Sequence, residues 1–223
     1  MPMHVMSPET LIKAYALGVF PMAEAHDDDR IFFVDPEERG ILPLDDVHIP
    51  RSLKKRVRQS PYHVTINRDF EGVIDGCRAI TASRQDSWIN PQIRQLYVAL
   101  HKLGFAYSID VWRKENGRRT LVGGLYGVAL AGAFFGESMF SRARDASKIA
   151  LVHLMARLKA GGFTLLDTQF TNPHLEQFGV LAISRDDFKT LLEQALATEA
   201  RMPLDDDDAA MVQSFLQART ETS

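Results

Sequence analysis

The sequence predicts an α+β fold, with a small N-terminal domain and a larger C-terminal domain that contains a mixed sheet. Apolar residues recur at helical spacing up to Gly104, and from Phe105 the spacing becomes that of strands. The Asn116-Gly117 pair between two of these strands indicates a hairpin. A long helical segment, 146–159, then precedes a buried strand, 163–169. This order of elements favours the α+β class.

Composition limits the class of protein. The chain has 223 residues, 45% of them hydrophobic, so it can bury a sizeable core, and disordered and collagen-like classes are excluded. Its 26 basic and 29 acidic residues give a formal net charge of -3, so any site for a polyanion must be a local patch. The single cysteine, Cys77, excludes an internal disulfide and fits a reducing compartment.

The sequence offers no membrane segment. No apolar run approaches the ~20 residues of a membrane span, and residues 1–7 lack the layout of a signal peptide. We therefore expect a cytoplasmic protein that does not contact a membrane.

The N-terminal segment contains one helix and one short strand. Ser7 caps the helix and Gly18 ends it. An acidic loop, 26–29, precedes a strand over 31–34, which residues 35–40 are expected to break. The densest positive patch of the chain follows, with five basic residues among eight: Arg51, Lys54, Lys55, Arg56 and Arg58.

A strand, two capped helices and a set of strands come next. After the strand 63–66, Asn67 is expected to cap a helix that reaches Cys77, and Asn90 caps a second helix that ends at Gly104. Strands are expected over 107–113, 121–130 and 133–140. Four glycines in these strands, Gly123, Gly124, Gly127 and Gly132, predict bulges or close backbone approach.

The C-terminal part returns to helices. Asp145 is expected to cap a long amphipathic helix, 146–159, and Ser184 precedes another that runs to about Ala197. After the acidic run 205–208 we expect a solvated tail with a weak helix. A second possibility left open is an autoinhibitory contact between this tail and the basic patch. The predicted division is a small domain over 1–62, a catalytic domain over 63–202 and an acidic tail over 203–223.

The C-terminal domain resembles the acyl-coenzyme-A N-acetyltransferase (GNAT) fold. Paired strands, a polar loop after Phe140, a helix from about Ala146 and the strand that ends at Gln169 make up the core of that fold. The Gly-rich pyrophosphate loop of true acetyltransferases is missing from 141–148, so a coenzyme A donor is not expected. The cations of this loop suit a phosphate group, or they are solvated.

A longer set of motifs, spread over about residues 7–195, resembles the leucyl/phenylalanyl-tRNA–protein transferase family. The motifs are Phe20-Pro21, His48-Ile49-Pro50-Arg51-Ser52-Leu53-Lys54, Ser87-Trp88-Ile89, Ser108-Ile109-Asp110-Val111-Trp112-Arg113, Leu121-Val122-Gly123-Gly124-Leu125-Tyr126-Gly127, Gly136-Glu137-Ser138-Met139-Phe140-Ser141-Arg142 and Leu166-Asp167-Thr168-Gln169-Phe170-Thr171-Asn172-Pro173-His174-Leu175. The resemblance implies transfer of Leu or Phe, less readily Met, from aminoacyl-tRNA to proteins that begin with Arg or Lys. The product would carry an N-degron, and neither a metal nor an organic cofactor would take part.

The same resemblance implies four catalytic residues: Glu137, Asp167, Gln169 and Asn172. An α-amine with a pKa of about 7.7–8.0 is already partly neutral at cytoplasmic pH, so it needs positioning more than activation. We expect Gln169 to accept a hydrogen bond from the amine while Asp167 orients it. Glu137 would hold the cationic acceptor side chain or its amine, and Asn172 would polarise the ester carbonyl. Each of two residues also has a structural alternative. Glu137 could form an ion pair that only stabilises the fold, and Asn172 could form a turn.

Selection of Leu or Phe requires a dry apolar pocket. The candidates for its walls are Trp88, Phe33, Phe134 and Met139, although aromatic residues in strands are commonly core. Family members carry Trp-Trp-Ser-Pro where this chain has Phe32-Phe33-Val34-Asp35-Pro36, which leaves the ranking of Leu, Phe and Met open.

Six cations are expected to contact tRNA: Arg51, Lys54, Lys55, Arg56, Arg142 and Lys148. A solvated helix face is the alternative for those between Arg51 and Arg58. Two other functions stay open, a Fem-type transferase acting on a peptidoglycan precursor and a non-catalytic tRNA-binding module. Fem-type chains repeat the domain, and this sequence has no repeat. We expect a monomer.

Overall fold

The computed structural model describes residues 6–28, 30–81, 86–205 and 207–218, and its centre is a seven-stranded mixed sheet. The helices are α1 (Pro8–Ala16), α2 (Arg51–Arg58), α3 (Phe70–Arg78), α4 (Pro91–Lys102), α5 (Ala146–Ala160), α6 (Pro173–Glu176), α7 (Arg185–Leu196) and α8 (Ala209–Ala218). The strands are β1 (Phe20–Met22), β2 (Phe32–Val34), β3 (Glu38–Leu42), β4 (Tyr62–Ile66), β5 (Ala106–Glu115), β6 (Arg118–Leu130), β7 (Ala133–Ser141), β8 (Leu165–Gln169) and β9 (Leu181–Ser184).

The strand order in the main sheet is β4-β5-β6-β7-β8-β3-β9. The pair β7–β8 is parallel, and the other neighbours are antiparallel. β1 and β2 form a separate two-stranded sheet. This is the α+β class predicted from the sequence, and its C-terminal part has the predicted GNAT-like arrangement of strands around α5.

Two apolar clusters cover the two faces of the sheet. Leu125 belongs to the cluster that contains α5, whereas its neighbour Tyr126 belongs to the cluster that contains α3 and α4. Because successive side chains of a strand point to opposite faces, the two clusters lie on opposite sides of β6.

Several local predictions are confirmed by the backbone. The Ser7 hydroxyl accepts a hydrogen bond from Thr10 N at 3.3 Å, and the Asn90 side chain accepts one from Ile93 N at 2.7 Å. In the hairpin, Asn116 and Gly117 have φ angles of 50° and 78°, the left-handed region that a tight two-residue turn requires.

Two predictions in the N-terminal half are wrong. Residues 35–40 do not simply break a strand, because Glu38–Leu42 forms β3 between β8 and β9. Gly40 permits this position, since a Cβ there would lie 2.6 Å from the Phe170 carbonyl carbon. The cap of α3 is Asp69, whose side chain accepts from Gly72 N at 2.9 Å, and not Asn67. Asn67 adopts a left-handed φ of 57° and accepts from Ser108 N instead.

Helix α5 also differs from its prediction. Asp145 stands at the N-cap position but with a φ of 60° and without a capping hydrogen bond, because its carboxylate pairs with Arg56 at 2.8 Å. The Ser141 hydroxyl accepts from Ser147 N in its place. The helix is buried over most of its circumference rather than amphipathic, since the sheet covers one side and α8 covers the other.

The tail contains the predicted helix, α8, but it is solvated only in part, because Asp205 and Asp207 are exposed whereas Asp208 and one side of α8 are buried. Val212, Phe215 and Leu216 of α8 are buried in the cluster that contains α5. Asp208 is buried and binds His153 Nδ1 at 2.7 Å and Arg157 Nη2 at 3.2 Å, both on α5. Residues 206 and 219–223 of the predicted tail lie outside the described residues.

The boundary predicted at residue 62 stays a prediction, although β3, which precedes it in the chain, lies within the main sheet. Among the residues that the structure describes, no helix combines the length and apolarity needed to cross a bilayer.

Candidate active site

A cavity of about 290 Å³ lies between α5, the strands β6–β8 and α6. Its apolar side is formed by leucines of three elements, Leu125, Leu151, Leu154 and Leu166, together with Leu175 and Met139. Its polar side is formed by Glu137, Ser138, Thr168, Gln169, Asn172 and His174, and Tyr126 and Gly136 complete it. An apolar chamber thus opens onto a row of hydrogen-bonding groups, an arrangement typical of a small-molecule site.

The cavity begins where two parallel strands separate. The last paired residues of β7 and β8 are Phe135 and Asp167. Beyond this pair, the segments 136–139 of β7 and 168–169 of β8 line the cavity instead of bonding to each other. The separation of the two strands therefore places the motifs around Glu137 and Gln169 at one site.

Asp167 is fully buried at this point and holds an ion pair that the sequence did not reveal. Arg39 Nε and Nη2 donate to its two carboxylate oxygens at 2.8 and 2.7 Å, and Arg39 Nη1 donates to the Gly18 carbonyl at 2.7 Å. The guanidinium lies over the rings of Phe20 and Phe188, with centroid distances of 4.6 and 4.2 Å. A bidentate, stacked arginine fixes the position of Asp167.

Asp167 in turn orients Gln169. The backbone N–H and the side-chain amide nitrogen of Gln169 donate to the Asp167 carboxylate at 2.9 and 3.3 Å. Because a carboxylate only accepts hydrogen bonds, the amide nitrogen must face it, and the amide oxygen is the atom left for a ligand. Gln169 has a φ of 58°, a left-handed backbone that its own hydrogen bonds to Asp167 hold in place.

Glu137 is the extra residue of a β-bulge in β7. Tyr126 pairs with Ser138 and Gly127 with Gly136, so Glu137 has no partner of its own on β6. Bulges re-aim a side chain relative to its strand. Gly127 allows the strands to approach here, because a Cβ at that position would lie 2.3 Å from the Phe135 carbonyl oxygen.

The re-aimed carboxyl group of Glu137 meets two tyrosines. Tyr15 Oη of α1 lies 2.6 Å from Oε1 and Tyr97 Oη of α4 lies 2.7 Å from Oε2, both within hydrogen-bond distance, while the two hydroxyl oxygens lie 2.5 Å apart. Burial raises the pKa of Glu137 to about 7, and the negative charge of Asp167 acts in the same direction. The tyrosine hydrogen bonds oppose that shift in the pKa without cancelling it.

Asn172 has a structural task in addition to any chemical one. Its side-chain oxygen caps α6 by accepting from Leu175 N at 3.1 Å. The structural alternative, a turn, is therefore realised by the side-chain oxygen, and Asn172 is also one of the residues that line the cavity.

Of the predicted pocket residues, the cavity takes in Met139 and leaves out the three aromatic ones. Phe134 is fully buried and packs edge-on against Phe163, Trp88 packs on the cluster around α3 and α4, and Phe33 is 40% exposed on β2. Leu151 and Leu154 of α5 line the apolar side of the cavity instead. The spacing of Leu151 and Leu154 on one helix face was a signal for this, but it is equally typical of core packing.

The cations predicted to contact tRNA come from α2, from the segment that joins β7 to α5, and from α5 itself. Arg56 of α2 reaches Asp145 at the start of α5, which Lys148 also approaches at 3.9 Å. Arg51 and Lys55 are exposed on α2, and the Arg142 guanidinium lies 5.0 Å from the centre of the Phe140 ring. The start of α5 thus meets α2 through Asp145, and the name basic surface is used below for six cations: Arg51, Lys54, Lys55, Arg56, Arg142 and Lys148.

Three residues of the site were not predicted as such: Arg39, Tyr15 and Tyr97. Arg39 belonged to a segment expected to be a break. The tyrosines lie on apolar helix faces, and the signal they offered is that a buried phenol needs a hydrogen-bond partner.

Comparison with known proteins gives consistent matches over nearly the whole chain. Residues 41–193 match the family model "Leucyl/phenylalanyl-tRNA protein transferase", and residues 5–37 match the model of the N-terminal domain of the same family. A curated protein of Maricaulis maris named leucyl/phenylalanyl-tRNA–protein transferase is 55% identical over 215 residues, which are 96% of this chain and 97% of that protein.

Two further curated proteins with the same name agree. The one from Hyphomonas neptunium is 57% identical over 86% of this chain and 73% of its own length. The one from Caulobacter vibrioides is 55% identical over 85% of this chain and 86% of its own length.

Proposed function

The chain belongs to the leucyl/phenylalanyl-tRNA–protein transferase family, and from this premise we propose that it transfers Leu or Phe, less readily Met, to the N-terminal α-amine of proteins that begin with Arg or Lys. It is an aminoacyltransferase that uses aminoacyl-tRNA as donor and protein as acceptor. The product would carry an N-degron. We expect the reaction in the cytoplasm, by a monomer and without metal or organic cofactor.

The observation that carries this proposal is the joining of an apolar chamber to Gln169. Leu151, Leu154 and Leu166 offer the aminoacyl side chain a dry wall, and Met139 can adapt its shape to Leu, Phe or Met. Polar aminoacyl side chains are disfavoured on this wall, because the leucine side chains themselves offer no hydrogen-bond partner.

The transfer itself is an exchange at an ester. The acceptor amine forms a bond to the aminoacyl carbonyl carbon, the bond from that carbon to the ribose oxygen of tRNA breaks, one proton leaves the amine nitrogen and one is taken up by the ribose oxygen. The aminoacyl ester supplies the driving force, so the enzyme mainly has to align the reacting atoms.

The side chains around the cavity are suited to that alignment. The Gln169 amide oxygen accepts a hydrogen bond from the amine, and Asp167, held by Arg39, keeps Gln169 in position. The Asn172 amide nitrogen polarises the ester carbonyl. Glu137 contacts the amine from the β7 side of the cavity.

The tRNA acceptor end would lie on the basic surface. Phosphate contacts of this kind supply affinity without sequence choice. The amino acid must then be recognised by the cavity. This agrees with a family named for the amino acid on the tRNA, Leu or Phe.

The decisive experiment measures transfer of labelled Leu, Phe and Arg from charged tRNA to peptides that begin with Arg, Lys, Asp or Ala. Wild type is compared with Gln169→Ala and Asp167→Ala, and with Glu193→Gln on the exposed face of α7 as a matched control. We expect wild type and control to transfer Leu and Phe to the Arg and Lys peptides. The two site variants should lose this transfer activity.

The other outcomes identify the rivals. Transfer to acidic N-termini would overturn the acceptor class and the role given to Glu137. Binding of charged and uncharged tRNA with equal affinity and without transfer would instead indicate the non-catalytic tRNA-binding module.

A further inference from the structure

The side chains of Tyr15, Tyr97 and Glu137 form a closed triangle of three contacts between four oxygen atoms. The three edges are Tyr15 Oη to Glu137 Oε1 at 2.6 Å, Tyr97 Oη to Glu137 Oε2 at 2.7 Å, and Tyr15 Oη to Tyr97 Oη at 2.5 Å. Each edge is as short as a strong O–H···O hydrogen bond, so each requires a proton between its two oxygens.

Counting the protons decides the charge of this group. Each phenol supplies one proton and an ionised carboxylate supplies none, so an ionised Glu137 leaves two protons for three edges. One pair of oxygens would then face each other at 2.5–2.7 Å with lone pairs only. A protonated carboxyl group adds the third proton, and every member of the triangle then donates once and accepts once.

We propose that Glu137 is a neutral carboxylic acid in the resting protein and that it shares three protons with Tyr15 and Tyr97, an arrangement called the proton ring below. Tyr15 and Tyr97 are then positioning residues of the site. This inference concerns the protonation state of the free protein and does not depend on which acceptor is used.

The surroundings of the proton ring favour the neutral form. The titratable and charged groups that face it come from five elements: Tyr15 of α1, Tyr97 of α4, Tyr126 of β6, Asp167 of β8 and Arg39 of β3. The positive charge of Arg39 is bound by both oxygens of Asp167, which leaves little of it for Glu137.

The directions of the pKa shifts agree with the geometry. Burial raises the pKa of Glu137 to about 7, so the acid form is populated in neutral solution. Burial and the nearby Glu137 also raise the pKa of Tyr15 and of Tyr97 well above the usual range of a phenol, so both tyrosines keep their protons.

The proton ring changes what Glu137 can do. A neutral acid cannot select a cationic side chain by charge, so the carbonyl oxygen of this acid is suited instead to accept a hydrogen bond from a neutral amine. A rise in pH that ionises Glu137 would remove the third proton and open the ring.

The first test replaces the acid with a neutral analogue. An amide can donate through its nitrogen and accept through its oxygen, so Glu137→Gln can keep the ring without being able to ionise. Because the folded-state pKa of about 7 is raised above the ordinary value of 4.5, the stability contribution of Glu137 is full below pH 4.5, declines between these two values and is lost above about 7. We expect the melting temperature of Glu137→Gln, relative to wild type, to increase from pH 5 to pH 7 and to level off above, whereas Glu193→Gln shows no such increase. A constant difference between Glu137→Gln and wild type would overturn the proposal.

The second test does not require a variant that folds. Infrared spectra of wild-type protein labelled with carbon-13 glutamate are recorded between pH 6 and pH 8. We expect an isotope-shifted carbonyl band of a protonated carboxylic acid that fades as the pH rises. Carboxylate bands alone at pH 6 would overturn the proposal. Where Glu137→Gln can be purified, its spectrum should lack the acid band.

Discussion

Asp167 is held by contacts within the protein at the edge of the cavity. It is fully buried, it is bound by Arg39 through two hydrogen bonds, and it accepts two more from Gln169. Both of its carboxylate oxygens are thus engaged within the protein. The carboxylate that the family resemblance placed among the catalytic residues is therefore suited to fix Gln169 and Arg39 relative to each other.

Replacing Asp167 should damage both stability and transfer. Asp167→Asn leaves the buried Arg39 guanidinium without its counter-charge, and removal of one partner of a buried pair costs about 3–5 kcal/mol. Urea denaturation would measure this loss in the free energy of unfolding. The exposed pair Lys189–Asp35 is the matched control, and Lys189→Gln should change stability by less than about 1 kcal/mol. Equal effects of the two substitutions would contradict the role given to Asp167.

Replacing Gln169 should affect transfer much more than stability. Gln169→Ala removes the acceptor for the amine but leaves the Arg39–Asp167 pair intact, so we expect kcat/KM to fall about 10²-fold, in the range that general positioning groups contribute. Single-turnover transfer from Phe-tRNA measures the loss. A variant with normal transfer would show that Gln169 only completes the fold of β8.

Two elements, α2 and α5, bring the basic residues together. Asp145, the N-cap residue that the sequence predicts for α5, does not cap the helix. Its carboxylate binds Arg56, and the Ser141 hydroxyl accepts a hydrogen bond from the first turn of α5 in its place. This exchange ties the basic helix to the start of α5. It makes one surface out of cations that are more than eighty residues apart in sequence.

Neutralising single cations of this surface should weaken tRNA binding without changing amino acid choice. For Arg51→Gln and Lys55→Gln we expect the slope of log affinity against log salt to decrease by about 1 for each phosphate group that the variant no longer neutralises. Filter binding at several salt concentrations measures the slope. Lys102→Gln, which replaces a cation at the end of α4, is the control and should leave the slope unchanged. An unchanged slope in all three variants would identify the residues on α2 as a solvated helix face.

The molecule as a whole depends on α8 to enclose α5. The buried side of α8 carries Phe215, which is 6% exposed, and Asp208 ties the same segment to His153 and Arg157. The end of the chain therefore completes the hydrophobic core behind the cavity. The Asp208 carboxylate therefore has a structural role within the fold, and the autoinhibitory contact of the tail stays an untested alternative.

Weakening the packing of α8 against α5 should lower the stability of the protein. Phe215→Ala should reduce the free energy of unfolding by about 3–5 kcal/mol, because it removes a large buried side chain and leaves a cavity. Gln213→Ala, on the exposed side of the same helix, is the control and should stay within about 0.5 kcal/mol of wild type. Chemical denaturation distinguishes the two, and similar values for both would show that α8 is only loosely attached.

The sequence by itself was sufficient for the fold class, for most helices and strands, for the family resemblance and for the motif residues Glu137 and Gln169. These features depend on patterns within a few residues, such as the caps at Ser7 and Asn90 and the Asn116-Gly117 turn. Apolar periods and short hydrogen-bonding motifs are local, so they can be recognised without knowing how the chain folds.

Only the tertiary structure decided which side chains surround those motifs. Tyr15 meets Tyr97 across 82 residues and Glu137 across 122, and Arg39 meets Asp167 across 128. α8 likewise packs against α5 although two strands, β8 and β9, and two helices lie between them in the chain. A local pattern cannot specify the partner of a buried polar group, because that partner is supplied by packing between distant elements. The protonation proposed for Glu137 depends on such a contact.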